Sequence, residues 1–96
     1  MTDKSKQVAE RIIAHYGSNH QAIKCIEELS ELQQALCKHI NQPSEKTHDH
    51  LTEELADTMV MFYQLIRVFD INEDRLETIM DYKLERTLQL VKKESK

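Results

Sequence analysis

The chain has 96 residues, of which 40% are hydrophobic and 31% charged, with one glycine and one proline. A chain of this length forms one domain, residues 1–96, and so few turn-forming residues favour long helices over short strands. The formal net charge of −4 and the scattered lysines and arginines exclude the basic surface that nucleic-acid binding needs. The composition therefore predicts an all-α domain without a nucleic-acid partner.

Neither end nor middle of the chain predicts a targeting or membrane segment. The N-terminal MTDKSKQVAE lacks the apolar core of a signal peptide, and MVMFYQLIRVF is too short and too polar to cross a bilayer. Cys25 and Cys37 fall on one predicted helix, about 18 Å apart, which is too far for a disulfide. We expect a cytoplasmic protein with no membrane partner and with both thiols reduced.

The first half of the chain predicts two helices. The first covers residues 4–16, and Gly17 is placed to end it in the left-handed conformation. The second covers residues 19–40, with Ser18 or Asn19 as its N-cap. Its apolar stripe comprises Ala22, Cys25, Ile26, Leu29, Leu32 and Leu36.

The middle of the chain predicts a loop and then a central helix. The stretch NQPSEKTHDH, residues 41–50, holds the only proline among polar residues and predicts an exposed loop between two helical hairpins. The third helix covers residues 50–69. Besides its core stripe it has a second apolar face, Ala56, Val60 and Tyr63, which predicts burial between subunits. The expected core stripe is Leu51, Leu55, Met59, Phe62, Ile66 and Phe69.

The last part of the chain predicts a short turn, DIN, and a fourth helix capped by Asn72. The expected architecture is a four-helix bundle of two hairpins that oligomerises through its central helices. The apolar residues of the fourth helix are Leu76, Ile79, Met80, Leu84, Leu88 and Val91.

Acidic residues border the apolar stripe of the second helix. At about 100° per residue, Gln21, Lys24, Glu28 and Glu31 fall on one strip along the edge of that stripe. Glu27 lies further round the helix. Such a strip is typical either of a solvated helix face or of a site at the margin of the core.

The third helix supplies Glu54 and Asp57 at the border of its own apolar face. If the two helices pack antiparallel, four carboxylates converge where their repulsion is costly unless a cation neutralises it. An all-oxygen set of ligands suits Mg²⁺ or Mn²⁺ better than zinc, and these hard cations are typical of phosphate substrates. The candidate ligands are Glu28, Glu31, Glu54 and Asp57.

The sequence EELSE at 27–31, followed after 22 residues by ELAD at 54–57, resembles the EExxE and ExxD motifs of MazG-like, all-α nucleoside triphosphate pyrophosphohydrolases. The similarity covers most of the chain, including HQAIKCIEELSEL, LTEELADTMVMFYQLI and YKLERTLQ. It implies a MazG-like bundle, assembled as a dimer or tetramer, that uses Mg²⁺ to cleave a nucleoside triphosphate. The products would be a monophosphate and pyrophosphate, in a housecleaning role.

The resemblance also implies roles for the acidic residues. Glu28, Glu31, Glu54 and Asp57 would bind Mg²⁺. Glu27 would support the metal ligands, bind the metal as an outer ligand or position the attacking water. Our candidates for the carboxylate that orients or deprotonates this water are Glu27 and Glu31.

Four further residues resemble family positions that contact the substrate. Lys83 and Arg86, three residues apart on the last helix, would bind triphosphate oxygens. Gln21 and Lys24 correspond to positions near the nucleotide. The segment LERTLQL is less basic than its counterpart in the larger family members, so the phosphate contacts depart most from the family pattern.

Two other classes of protein fit parts of the sequence. A non-enzymatic four-helix interaction protein would leave the glutamates solvated and would not respond to divalent cations. A di-iron carboxylate bundle needs Glu-x-x-His pairs on two core helices, and only Glu45 and His48, in the predicted loop, have that spacing. The HDH sequence at 48–50 likewise lacks partner ligands for a transition metal.

Overall fold

The computed structural model describes residues 2–95 and contains four α-helices and no strand in that range, which confirms the all-α prediction. None of these helices has the length and apolar character to cross a membrane, over the same residues. The helices are α1 (Asp3–Tyr16), α2 (Ser18–Asn41), α3 (Glu45–Val68) and α4 (Glu73–Glu94).

Local capping explains where α1 and α4 begin and where α1 ends. The Thr2 hydroxyl accepts the backbone N–H of Ser5, and the Asn72 side chain accepts that of Arg75. Gly17 ends α1 as predicted, with a positive φ of 93° that favours glycine. Its ψ of 152° lies outside the left-handed helical region that we expected.

The predicted loop over residues 41–50 is wrong beyond residue 44, because α3 begins at Glu45. The Ser44 hydroxyl accepts the Thr47 N–H at 3.1 Å, and the Thr47 hydroxyl accepts the Ser44 N–H at 3.0 Å. This reciprocal pair is a capping box, which usually has Glu or Gln at the third helical position. With threonine there, the sequence carries no obvious start signal, and the HDH stretch proves to be helical.

The main packing unit is the antiparallel hairpin of α2 and α3. Its two ends are held by side-chain hydrogen bonds: Gln21 Nε2 donates to Gln64 Oε1, and His39 Nδ1 lies 2.8 Å from Thr47 Oγ1. Helix α1 packs against both helices of the hairpin. An ion pair between Glu10 and Arg67 joins α1 to the end of α3.

Of the apolar stripes that the sequence predicts for α2, α3 and α4, only Cys25 is among the buried residues of the described chain. Four of the buried residues are apolar but small or flexible, and four are polar, because the two helices face each other along a polar strip. Large side chains of the expected stripes point outward instead; Ile26, for example, is 66% exposed and Phe69 61%. The buried set is Ala9, Cys25, Ala35 and Met61, with Gln21, Glu28, Thr58 and Gln64.

The second apolar face of α3 is also exposed, with Val60 at 52% and Tyr63 at 41%. One copy of the chain places only three helices together, and three helices cannot cover apolar faces that extend round both α2 and α3. The apolar stripes that the sequence shows therefore include faces that remain exposed in a single chain.

Helix α4 stands away from the other three and makes no more than marginal contact with any of them within residues 2–95. It follows a turn in which Asp70 has a φ of 49° and the Ile71 N–H donates to the Ile66 carbonyl, as in a Schellman motif. The radius of gyration is 16.7 Å, compared with about 12 Å for a compact chain of this length. The predicted bundle of two hairpins is therefore not closed within one chain.

Candidate metal centre

The seam between α2 and α3 is polar over much of its length. On α2, Gln21 and Glu28 lie on one strip two turns apart, and on α3 Asp57 and Gln64 do the same. Because the helices are antiparallel, the two glutamines meet at one point and the acidic residues meet about 10 Å further along. The hairpin thus joins two motifs that lie far apart in the sequence.

Glu28, Glu54 and Asp57 form a carboxylate triad at this seam. One oxygen atom from each side chain lies within 4.8 Å of those of the other two. Glu28 is 7% exposed, Glu54 is half-buried and Asp57 is exposed, so the triad extends from the hairpin interior to solvent. At that separation and an effective dielectric of 20, each pair of charges repels by about 3 kcal/mol before screening by salt.

Two oxygen atoms of the triad have no hydrogen-bond partner among the residues that the structure describes. They are Oε2 of Glu28 and Oε2 of Glu54, and both are buried. A buried carboxylate oxygen without a donor is unfavourable, and buried acceptors are normally satisfied. These two atoms are therefore acceptors suited to a cation.

One lysine and one histidine are the basic side chains nearest the triad's negative charge. Lys24 Nζ lies 3.4 Å from Glu28 Oε1 and 3.6 Å from Glu27 Oε2. The hydrogen bond and charge of Glu28, and then the charge of Glu27, raise the pKa of Lys24, which keeps it protonated. His50 Nε2 lies 4.0 Å from Glu54 Oε1. Lys24 and His50 thus flank the triad from opposite ends.

Thr58, which sequence reasoning missed, fixes the backbone beneath the triad. It is fully buried, and its hydroxyl lies 2.8 Å from the Glu54 carbonyl oxygen and 3.4 Å from that of Glu28. The hydroxyl has one hydrogen for both acceptors, and the bond to the Glu54 carbonyl is the stronger because it is the shorter. Its small polar side chain lets the two helices approach closely where the ligands are needed. A threonine inside a helix carries no periodic signal that would have revealed this role.

The structure separates the remaining predicted acids from the triad. Glu31 lies one turn from Glu28 on the same strip, is exposed, and is outside the group of three. Glu27 is exposed and pairs with Lys24. The fourfold convergence that we expected is therefore a threefold one, with Glu31 at its rim.

Gln21 is buried and both ends of its amide are engaged. Its Nε2 donates to Gln64 Oε1, and its Oε1 lies 2.7 Å from His20 Nδ1. This arrangement makes Gln21 part of the hairpin core. Sequence reasoning missed Gln64, because its only signal is the match in register with Gln21 across an antiparallel pair.

Lys83 and Arg86 are not brought to the triad of their own chain. Both are exposed on α4, which packs against neither α2 nor α3 in the described part of the chain. Neither forms an ion pair with another residue between positions 2 and 95.

Both cysteines are free, as expected. Burial, and secondarily the charge of Glu28, raises the pKa of the Cys25 thiol. Cys25 is therefore a protonated packing residue beneath the triad, whereas Cys37 is exposed.

Comparisons of this chain with protein-family models, with curated proteins and with solved structures find no match. Over residues 2–95, the fold and site define it as an all-α protein whose central helical hairpin carries a carboxylate triad with two unpartnered oxygens. Its function has to be inferred from this triad and the surfaces around it.

Proposed function

We propose that the protein is a Mg²⁺-dependent nucleoside triphosphate pyrophosphohydrolase of the MazG-like type, active in the cytoplasm. The observation that carries the proposal is the triad of Glu28, Glu54 and Asp57 within 4.8 Å, two of whose oxygens are buried with no hydrogen-bond partner in the described part of the chain. The resemblance of EELSE and ELAD to the family motifs supports it, because the triad is drawn from those two motifs.

The chemistry of the triad fits a hard divalent cation. Carboxylate oxygens are the ligands that Mg²⁺ and Mn²⁺ prefer, and Mg²⁺ commonly keeps several waters beside one or two carboxylates. Glu28, Glu54 and Asp57 would hold the ion. The ion would neutralise triphosphate charge and lower the pKa of a bound water.

The chain's own residues would position the water and accept its proton. Glu27 and Glu31 are the exposed carboxylates beside the triad. Glu27 is already paired with Lys24, whereas Glu31 has no ion pair within residues 2–95. We therefore assign the base role to Glu31 first. A water attacking the α phosphorus in line with the leaving pyrophosphate gives a monophosphate and pyrophosphate.

The proposed active form is a homo-oligomer, either a dimer or a tetramer. Large apolar side chains are exposed on α2, α3 and α4, and patches of this extent mark association surfaces on water-soluble proteins. A second chain is the simplest partner, because it offers the same surfaces in return.

The test is to incubate the protein with a panel of canonical and modified nucleoside triphosphates and Mg²⁺, and to identify the products. We expect a monophosphate and pyrophosphate, with no reaction in EDTA. Glu54→Gln should lose at least about a hundredfold in rate, because it removes a metal ligand, and losing such contacts costs several kcal/mol. Glu45→Gln is the matched control: it makes the same change at an exposed position of α3, nine residues from Glu54 and so on the opposite side of the helix, and should leave the rate within about twofold.

A non-enzymatic interaction protein is the second candidate, and the extent of exposed apolar surface favours it. It predicts no hydrolysis of any triphosphate and equal behaviour of Glu54→Gln and Glu45→Gln. Diphosphate and orthophosphate as products would instead contradict the proposed cleavage position.

A further inference from the structure

Helix α4 has a surface pattern that its own chain does not use. At about 100° per residue, its apolar face is bordered on one side by basic residues and on the other by acidic residues. All eight of these charged residues are exposed. The basic edge comprises Arg75, Lys83, Arg86 and Lys93, and the acidic edge comprises Asp74, Glu77, Asp81 and Glu85.

The apolar face of α4 also lacks cover within the described chain. Seven large apolar side chains of this helix are between 38% and 68% exposed. A helix in a protein owes most of its stability to packing of its amphipathic face, so α4 needs a surface to pack on. The exposed side chains are Ile79, Met80, Tyr82, Leu84, Leu88, Leu90 and Val91.

Helix α3 presents a surface that complements α4. Its exposed apolar face, Ala56, Val60 and Tyr63, lies beside an acidic edge formed by Glu53 and Asp57. Asp57 belongs to the triad. An α4 helix that packs on this face with its basic edge toward Glu53 and Asp57 pairs opposite charges, whereas the reverse orientation sets acid against acid.

A groove in the same region provides a concave seat. It has a volume of about 360 Å³ and lies between α1 and α3, where Val8 and Ile12 face Val60 and Tyr63. Apolar side chains of a helix lying along α3 would fill it. The exposed face of α3 and this groove therefore complement an amphipathic helix in shape as well as in charge.

We infer that α4 of a second copy of this chain packs along the exposed face of α3, so that each carboxylate site is built from two chains. Every copy carries both the α4 surface and the α3 surface, so a symmetric pair can satisfy both at once. The chain's own α4 leaves in another direction after Asp70. The partner's Lys83 and the partner's Arg86 then lie beside the triad.

The positive charges of these two side chains offset the negative charge of the triad. Lys24 is the one lysine or arginine paired with the triad within residues 2–95, and the outer member of the triad, Asp57, borders the α3 face that α4 would cover. Lysine and arginine side chains bind phosphate oxygens by charge-assisted hydrogen bonds. Their role toward a triphosphate rests on the proposed function, but the packing of α4 against the partner's α3 does not.

The experiment uses the unaltered protein in two isotopic forms. Chains labelled with ¹⁴N and chains labelled with ¹⁵N are unfolded together, refolded, and treated with a water-soluble carbodiimide, which joins adjacent lysines and carboxylates directly. Linked peptides are identified by mass spectrometry. Lys92 is the internal control, because it lies nine residues from Lys83 and so on the opposite side of α4.

We expect links from Lys83 to Asp57 or Glu53, with about half of the linked pairs containing one peptide of each isotope, as random assembly of two chains gives. Lys92 should form no such links. Pairs of a single isotope only would show that α4 folds back on its own chain, and would overturn the inference, as would the absence of any Lys83 link to α3. Hydrolytic activity plays no part in this result, so a protein that cleaves no triphosphate would refute the proposed function alone.

Discussion

Replacing Asp57 by Asn should have opposite effects on stability with and without a divalent cation. In metal-free protein the change removes one of three charges that lie within 4.8 Å of one another. The bare repulsion is about 3 kcal/mol per pair at an effective dielectric of 20. Because Asp57 is exposed, solvent and salt reduce this strongly, and we expect the variant to be more stable by about 1 kcal/mol.

With Mg²⁺ the order should reverse. A ligand that binds only the folded state stabilises it by RT ln(1 + [L]/Kd), or about 2.7 kcal/mol at a hundred times Kd. Asp57→Asn loses a ligand, so most of this gain should disappear. Thermal melts of both proteins, in EDTA and in millimolar Mg²⁺, measure the two effects, and 1 kcal/mol corresponds to about 4–8 °C for a domain of this size.

Glu45→Gln provides the matched control for these melts, since it removes a carboxylate charge from an exposed position in the first turn of the same helix, outside the triad. Its stability should fall by no more than about 1 kcal/mol, the usual contribution of an acidic residue to a helix N-terminus, with the full response to Mg²⁺ retained. If Asp57→Asn melts at the parent's temperature in EDTA and shifts equally with Mg²⁺, the reasoning about the triad is refuted.

Two further predictions concern the support beneath the triad. Thr58→Ala should lower the free energy of unfolding by about 1–3 kcal/mol in urea denaturation, because it removes a buried hydroxyl that bonds carbonyls of both helices and leaves a small cavity in its place. Thr52→Ala, whose hydroxyl bonds a carbonyl from an exposed position, should change it by less than about 0.5 kcal/mol, and equal losses would exclude the bracing role of Thr58. In native protein at pH 8, Cys37 should react quickly with a thiol reagent, whereas Cys25 should react only on unfolding. Burial limits access to the Cys25 thiol, and its raised pKa disfavours the reactive thiolate. Fast reaction of both thiols would show that the hairpin is open at Cys25.

Local signals predicted most of the helices. The turn at Gly17, the cap at Asn72 and the periodicity of α1, α2 and α4 act over a few residues and are visible in one sequence. The start of α3 was missed because its capping box uses Thr47 in place of a glutamate. A short polar stretch with a proline fits a loop and a capped helix equally well until the hydrogen bonds are known.

The core could not be predicted in the same way. Periodicity shows which helix faces are apolar. It does not show which of these faces pack together within one chain and which pack against a second chain. The residues Leu55, Met59 and Phe62 illustrate this: all three lie on the predicted core stripe of α3 and all are more than 40% exposed. The four-helix bundle was expected inside one chain, whereas α4 leaves the hairpin.

The site was predicted in part. Spacing placed Glu28, Glu54 and Asp57 at helix margins, and the antiparallel hairpin brings them together. Glu31 was expected among them because it shares a strip with Glu28, but a position on a strip does not determine where a long, exposed side chain points.

The most direct test of the carboxylate triad as a divalent-cation site is a titration of metal-free protein with Mn²⁺, followed by the electron paramagnetic resonance signal of the free ion. We predict that the parent and Glu45→Gln each remove at least one Mn²⁺ per chain from solution, that Mg²⁺ releases it, and that Glu54→Gln binds at least tenfold more weakly. Parent protein that leaves the free Mn²⁺ signal unchanged, or Glu54→Gln that binds as tightly as the parent, would contradict the account.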